Sequence, residues 1–512
     1  MIPAFARRHP FATAAALAVV LVVGRSAVWL LWEQSYFDSD QAITGLMAKH
    51  LAEGRAFPLV FYGQHYMLAV EAWMVAPVFR LFGVSVATLK LPLLLVNVAI
   101  AVLLIRILAR DVGLSAWSAL VASLFFVIAP PVTASRLLEA QGANVEPLLY
   151  VLLLWTMRRQ AVAFGLIAGV GFLHREFTAY AVVAILLLEW WYGHLWSIAN
   201  LRRKAIVFAE MAVVFLVERQ LLLRADLLGP GTGGTLPANV TTSPISTWTA
   251  RFCWNPTQLV PNIAWLFREN LSTLFGWRVA PLADYVTSGL TAGHRWALAA
   301  LLLLAAAAGA AAVRAIRDHR VVVPRRDAEL AVPGPAFAGY LILVGILALG
   351  VYALASCLVQ DRMLIRYTLL GLFVPVGVAA WLFRTGSPAL KMIAAVATIL
   401  WATASGVDTA RLLTEYVRRP PANLYRGLAD FLERRGVKYA RGPYWTAYQI
   451  DFLTNERVIV GSYQKVRITE YEEIVNRHRD KAVTIYFDDF CKPTEDGVNL
   501  LRWCVGGISR VP

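Results

Sequence analysis

The chain has 512 residues, of which 58% are hydrophobic and only 16% charged. A soluble globular domain carries roughly a quarter charged residues to cover its surface, so this composition excludes a chain that is soluble throughout. A formal charge of +15 would point to nucleic acid in a soluble protein. Here the basic residues sit at the ends of apolar runs of membrane length, where they set topology and imply no nucleic-acid partner.

Arg7 and Arg8 precede a first apolar run near 11–32. It reads as a membrane span rather than a cleaved signal, because many spans follow and no small-residue cleavage site is evident. Directly after it, Tyr36-Phe-Asp-Ser-Asp-Gln41 sets Asp38 and Asp40 two positions apart at the top of a membrane helix. Such a pair suits holding a divalent cation, taking a proton from a hydroxyl, or both. It equally suits a helix cap. Asp40 would cap a helix starting at Gln41, whose Ile43, Leu46, Met47 and Leu51 would lay an apolar stripe on the bilayer. The two roles are compatible. After Gly54 comes Phe57-Pro-Leu-Val-Phe-Tyr-Gly-Gln-His-Tyr66, followed by Glu71. Aromatic faces stack on sugars, and Gln64, His65, Tyr66 and Glu71 are candidates to hydrogen-bond hydroxyls. An interfacial aromatic belt explains the rings but not so compact a polar cluster.

Further spans fall near 89–108, 114–130, 142–157, 161–174, 177–193, 205–223, 295–313, 335–356, 368–384 and 388–405, eleven in all. Alternate connections hold Arg106 and Arg110, Arg158 and Arg159, Arg202 to Lys204, the arginines of 314–326, and Arg384 with Lys391. The positive-inside rule therefore places the N terminus in the cytoplasm and, after eleven spans, the tail outside. Loops 33–88 and 224–294 share that outer side. Polar groups gather there as well. Arg136, Glu139, Gln141 and Glu146 flank the start of the fourth span, and His174, Arg175 and Glu176 separate two short spans. Asp361, Arg362, Arg366 and Tyr367 precede the tenth. Snorkelling explains any one arginine. Charge in hydrocarbon is costly, so their convergence on one side predicts a polar cavity open to the outside. Two carboxylates and several arginines there match an anionic leaving group beside a hydroxyl nucleophile.

In the tail, a helical pattern at 422–435 leads into Val437–Ala440, and 457–461 and 482–487 read as strands around a polar helix at 469–477. This predicts a small α/β domain over 410–512. Cys491 and Cys504 lie within it, where an oxidising compartment permits a disulfide that their spacing does not require. Tyr444, Trp445 and Tyr448 are either core residues or sugar-contacting aromatics.

The order of these features resembles the polytopic GT-C glycosyltransferases, especially the bacterial relatives of protein O-mannosyltransferases and lipid A aminoarabinose transferases, over most of 1–405. Counted back from Ala48 in Met47-Ala48-Lys49-His50, Asp40 falls on the family's catalytic Asp, with Gln41 in place of the usual Glu. Asp38 is then an additional acid, or the first member of a shifted pair. Arg366-Tyr367 resembles the family's Arg-Tyr element near the lipid phosphate. Two departures bear on specificity and metal use. Ala69, Val70 and Glu71 stand where the family carries Lys/His-Pro-Pro-Leu, and its second outer Asp has no clean match among Arg136, Glu139 and Gln141.

The resemblance implies a polytopic α-helical membrane protein with a GT-C-like core of about eleven helices over 1–409 and a periplasmic α/β domain over 410–512, held in a bacterial inner membrane. It implies an inverting transfer from a polyprenyl-phosphate-linked sugar to a periplasmic glycan, lipid or protein acceptor. Asp40 would activate the acceptor and Asp38 assist. Arg366 and Tyr367, with Arg175 and Arg136, would hold the lipid phosphate. Gln64, His65, Tyr66, Glu71, Glu139, His174 and Glu176 would contact sugar or acceptor. The sequence establishes no cofactor; Asp38 and Asp40 are compatible with a magnesium or manganese ion. A polytopic transporter or a non-enzymatic envelope assembly factor is the alternative. Transport usually places its critical groups at mid-membrane between paired repeats, which this sequence does not display.

Overall fold

The structure, a computed structural model, describes residues 8–223, 255–277, 294–317, 332–355, 362–487, 498–500 and 503–507. Each of the eleven apolar runs coincides with a helix. In chain order these are α1 (Pro10–Leu31), α4 (Val86–Arg110), α5 (Ala116–Val127), α6 (Glu146–Met157), α7 (Ala161–His174) and α8 (Thr178–Trp191). Then come α9 (Ile198–Leu223), α11 (His294–Arg317), α12 (Phe337–Ala355), α13 (Phe373–Thr385) and α14 (Pro388–Arg418). The first outer loop supplies α2 (Ser39–Ala52), a hairpin of β1 (Val60–Phe61) and β2 (Gln64–Leu68), and α3 (Val70–Phe82). Most of the 224–294 loop lies outside the described residues, apart from a segment with α10 (Pro256–Trp265).

Among the described residues, six helices are long and apolar enough to cross a membrane, and α5 to α8 are apolar but shorter. The expected seventh span is helical as α9, yet Glu210, Glu218 and Arg219 in its second half set it apart from the six. The protein is therefore a multi-pass membrane protein. Inside the bundle, Arg25 of α1 is buried and donates to Asn97 Oδ1 of α4 at 2.6 Å and to the Phe126 carbonyl of α5. A buried guanidinium matched to two neutral oxygens on neighbouring helices ties three helices together.

The C-terminal domain comprises α15 (Leu424–Arg434), β3 (Tyr439–Gly442), α16 (Tyr444–Leu453), β4 (Ile459–Ser462), α17 (Thr469–Arg477), β5 (Val483–Phe487), β6 (Val498–Leu500) and β7 (Trp503–Gly506). Its sheet has the order β4-β3-β5-β7-β6, with β3 parallel to β4 and β5, and β7 antiparallel to β5 and β6. The sequence signals located β3 to β5 and two of the helices but missed α16, β6 and β7. Cys504 is disulfide-bonded, while Cys491 lies outside the described residues.

Two expectations for α2 are corrected. It does not lie on the bilayer: every residue from Ser39 to His50 except Asp40 is buried, because α3 covers one side and α16 of the C-terminal domain the other. Gly45 makes the second contact feasible, since a Cβ there would stand 2.4 Å from the Phe452 ring. The helix is also capped one position earlier than expected. Asp38 Oδ1 accepts from the Gln41 backbone N–H at 3.0 Å, which leaves the Asp40 carboxylate in the first turn free of capping duty.

Candidate active site

The turn between α1 and α2 is fixed from below. Lys90, buried at the start of α4, donates to the carbonyls of Trp29, Ser35 and Tyr36 at 3.2, 3.2 and 2.8 Å. A cation on the last carbonyls of a helix satisfies orphan acceptors and the helix dipole together. Tyr36 takes a positive φ of 47° there, and its phenol donates to Glu139 Oε1 at 2.6 Å.

Glu139 belongs to a stretch, 131–148, that is buried almost throughout despite its polar content. Its carboxylate also accepts from Arg136 Nη1 at 2.8 Å and from Asn144 Nδ2 at 2.8 Å, while the Arg136 guanidinium stacks 3.9 Å from the Tyr36 ring centre. Burial pushes the Glu139 carboxyl up, against the opposing pull of Arg136 and Arg366. Beside it, Gly142 and Ala143 both adopt positive φ and turn their N–H groups onto Glu71, whose two oxygens accept them at 2.7 and 2.9 Å. Successive left-handed residues form an anion-holding nest. Glu71 is thus committed to shaping this loop, and burial beside Glu146 raises its pKa well above the usual carboxylate range.

Asp40 is where the two halves of the molecule meet. Its Oδ2 accepts from Gln141 Nε2 at 2.6 Å, and the other end of the same amide accepts from Arg366 Nη1. Its Oδ1 accepts from the Tyr444 phenol of α16. Asp38 stays close by. Burial, then the charges of Glu139 and Asp40, raises its carboxyl pKa well above the ordinary value, so Asp38 resists ionising. Gln141 was grouped with the outer polar residues from sequence but not assigned as the bridge, and the approach of Tyr444 across some four hundred residues of chain has no local signal.

Arg366 and Arg175 differ from Arg136 in what they lack. Arg136 is neutralised by Glu139, whereas part-buried Arg366 has no ion pair among the described residues and donates to the neutral Gln141 oxygen, with the Glu139 and Asp40 charges farther off. Arg175 is buried, with Nη1 on the Met67 sulfur at 3.2 Å and Nε in a long 4.0 Å pair with Glu176. Both guanidinium groups lie over the Tyr367 ring, at 5.2 and 5.8 Å from its centre. His174 is turned away into a hydrogen bond with Tyr150 at 2.9 Å. Gln64 is half-buried in β2. The side chains of His65 and Tyr66 and all of Asp361 lie outside the described residues, as does the Arg362 side chain. Among the described residues no group of three or more His, Cys, Asp or Glu side chains converges, and both Asp40 oxygens already accept protein hydrogen bonds.

Taken together these features define a polytopic membrane protein with an acidic first loop, a cationic late span facing it, and a C-terminal α/β domain seated on the first loop. Its fold is GT-C-like. ArnT from Cupriavidus metallidurans bound to undecaprenyl phosphate is similar over 96% of this chain and 97% of that chain, with a TM-score of 0.54 at 12% identity. The fold assignment rests on that likeness. The apo form of the same ArnT gives a TM-score of 0.45 at 13% identity, covering 98% of this chain and 99% of that chain. The apo oligosaccharyltransferase of Archaeoglobus fulgidus gives 0.47 at 12% identity, covering 95% of this chain and 70% of that chain. In sequence, no family model and no curated protein matches the chain.

Proposed function

We propose that this protein is a membrane glycosyltransferase that moves a sugar from a polyprenyl-phosphate donor to an acceptor on the outer face of a bacterial inner membrane. The N terminus is then cytoplasmic and the C-terminal domain periplasmic. The observation that carries the reading is a pair of arginines beside Tyr367 that lack a close counter-ion: buried Arg175, and part-buried Arg366, which is joined through Gln141 to the Asp40 carboxylate. A desolvated cation without a counter-ion is expensive unless an anion completes it, and a lipid phosphate has the charge and the membrane anchorage to do so. That ArnT was solved with undecaprenyl phosphate supports the choice.

In this mechanism Asp40 takes the proton from an acceptor hydroxyl as the oxygen attacks the anomeric carbon from the face opposite the phosphate. The bond from that carbon to the phosphate oxygen breaks with inversion, and Arg366 and Arg175 stabilise the charge collecting on the departing lipid phosphate. Gln141, holding Asp40 at one end and Arg366 at the other, keeps base and leaving-group site in fixed relation. The neutral tendency of Asp38 suits it to hydrogen-bond the sugar rather than to compete for the proton.

The test uses protein reconstituted in liposomes with tritiated undecaprenyl-phosphate hexoses and pentoses and envelope membranes as acceptor source. Asp40→Asn is expected to lose about 10²- to 10⁴-fold in turnover while still binding undecaprenyl phosphate. Near-wild-type turnover would remove Asp40 from the mechanism, and donor uptake without any transfer product would favour a transporter.

A further inference from the structure

The Asp40 carboxylate is oriented by two separate parts of the molecule. Gln141 of the membrane core holds one oxygen, and Tyr444 of the C-terminal domain holds the other. Nothing about Tyr444 is incidental to its position. Its carbonyl accepts from Ser39 Oγ at 2.7 Å, in the residue preceding Asp40, and its N–H donates to Gln464 Oε1 at 2.9 Å. Its hydroxyl also accepts from Arg467 Nε at 3.4 Å, and Arg467 Nη1 reaches on to the Gly63 carbonyl of the β1–β2 hairpin at 2.9 Å. The ring is 6% exposed and packed edge-on against Trp445 and Tyr448. A core tyrosine needs only some acceptor for its O–H. This one has its backbone pinned on both sides and its hydroxyl aimed at the one carboxylate that also touches the arginine bridge.

We infer that Tyr444 is a positioning residue for the transfer: its phenol sets the plane of the Asp40 carboxylate, so that the base is correctly oriented only while the C-terminal domain is seated on α2. This inference rests on the glycosyltransferase reading above. A carboxylate held by one donor rotates about its Cβ–Cγ bond. Held by two donors from opposite sides, it presents a fixed lone pair to the incoming hydroxyl. Because the second donor comes from another domain, seating of that domain and readiness of the base become one event. The membrane core binds the lipid phosphate without this contact, since Arg366 and Arg175 reach Tyr367 from within the core.

The experiment compares full-length wild type, Tyr444→Phe and Arg426→Ala in the same liposome assay. Arg426 lies in the same interface but pairs with Glu33 and the Leu453 carbonyl, so its loss weakens docking without removing a hydrogen bond from Asp40. Tyr444→Phe keeps the ring and removes only the hydroxyl. The expected result is a fall in kcat of roughly tenfold, with the KM for the lipid donor and the affinity for undecaprenyl phosphate unchanged. Arg426→Ala should keep kcat within about twofold. Wild-type kcat in Tyr444→Phe would overturn the inference. So would equal losses of kcat in both variants, which would make docking alone responsible. A wild-type protein that forms no product from any donor would instead bring down the glycosyltransferase reading, and the role of Tyr444 with it.

Discussion

At the scale of single residues, what distinguishes the site is which charges are satisfied and which are not. Glu139 accepts three hydrogen bonds, from Tyr36, Arg136 and Asn144, and its side chain is fully buried. Glu139→Ala would strand the Arg136 guanidinium in the interior, at a cost of about 3–5 kcal/mol. That loss should appear as a lower melting temperature in detergent. The double variant Arg136→Met with Glu139→Leu should recover most of it, because an apolar pair needs no partner. If the double variant melts no higher than the single one, the hydrogen bonds to Tyr36 and Asn144 matter more than the ion pair. The sequence made the candidates legible: two acids after the first span and Arg366-Tyr367 before a late one interrupt apolar runs where charge is costly. It did not show that Arg136 has a close ion pair while Arg366 and Arg175 have none as close, since that depends on which side chains the fold brings into reach. Nor did it distinguish the cap from the free carboxylate, because Asp38 and Asp40 both suit either role.

At the scale of elements, the decisive contact is α2 against the C-terminal domain. Glu456 sits at the centre of a clamp, taking hydrogen bonds from Lys49, His50, Arg55 and Tyr471. Burial alone would push its carboxyl up, but the bonds and charges from His50 and Lys49, with Tyr471, more than offset this and hold it well below its ordinary value of 4.5. The sign follows from linkage. A carboxylate depressed in the folded state contributes stability that is present above its unfolded pKa, and this is lost as pH falls through the folded one. Acidification below about pH 4.5 should therefore loosen the clamp, seen as faster amide exchange in α2. Glu456→Gln should produce the same loosening at neutral pH. Protection of α2 that is unchanged in both cases would locate the docking energy elsewhere, in the packing of Phe452 beneath Phe37 and Phe79. The apolar pattern of α2 was visible in sequence but was given the wrong partner, because a helix face that meets a domain reads like one that meets lipid. α16 escaped notice for a related reason: nearly all of Tyr444–Leu453 is buried, so the segment has no polar face to mark its period.

At the scale of the whole molecule, the eleven helices were legible because hydrocarbon demands long apolar runs and satisfied backbones, and the same demand makes four of them informative by their shortness. Helices α5 to α8 have only 12 to 14 residues, which at 1.5 Å per residue is about 18–21 Å against a hydrocarbon core of roughly 30 Å. The far ends of α6, α7 and α8 run into Arg158, Arg159, Trp190 and Trp191, residue types that anchor at a membrane interface. The ends at Val127, Glu146, His174 and Thr178 then stop some 10 Å short of the opposite interface. A nitroxide attached at Glu176→Cys should accordingly report an immersion depth of roughly 10 Å, whereas a reading at the phosphate level would mean that the surrounding bilayer has thinned to match. The chemistry would thus lie at the bottom of a well roofed by the C-terminal domain, and depth becomes a filter on what can be glycosylated. On the function proposed above, a lipid-linked sugar would slide in sideways at its own level. A partner arriving from water would have to lower a slender end, such as a glycan terminus, a lipid headgroup or an unfolded peptide, down to Asp40. The rigid face of a folded protein would be too broad to follow.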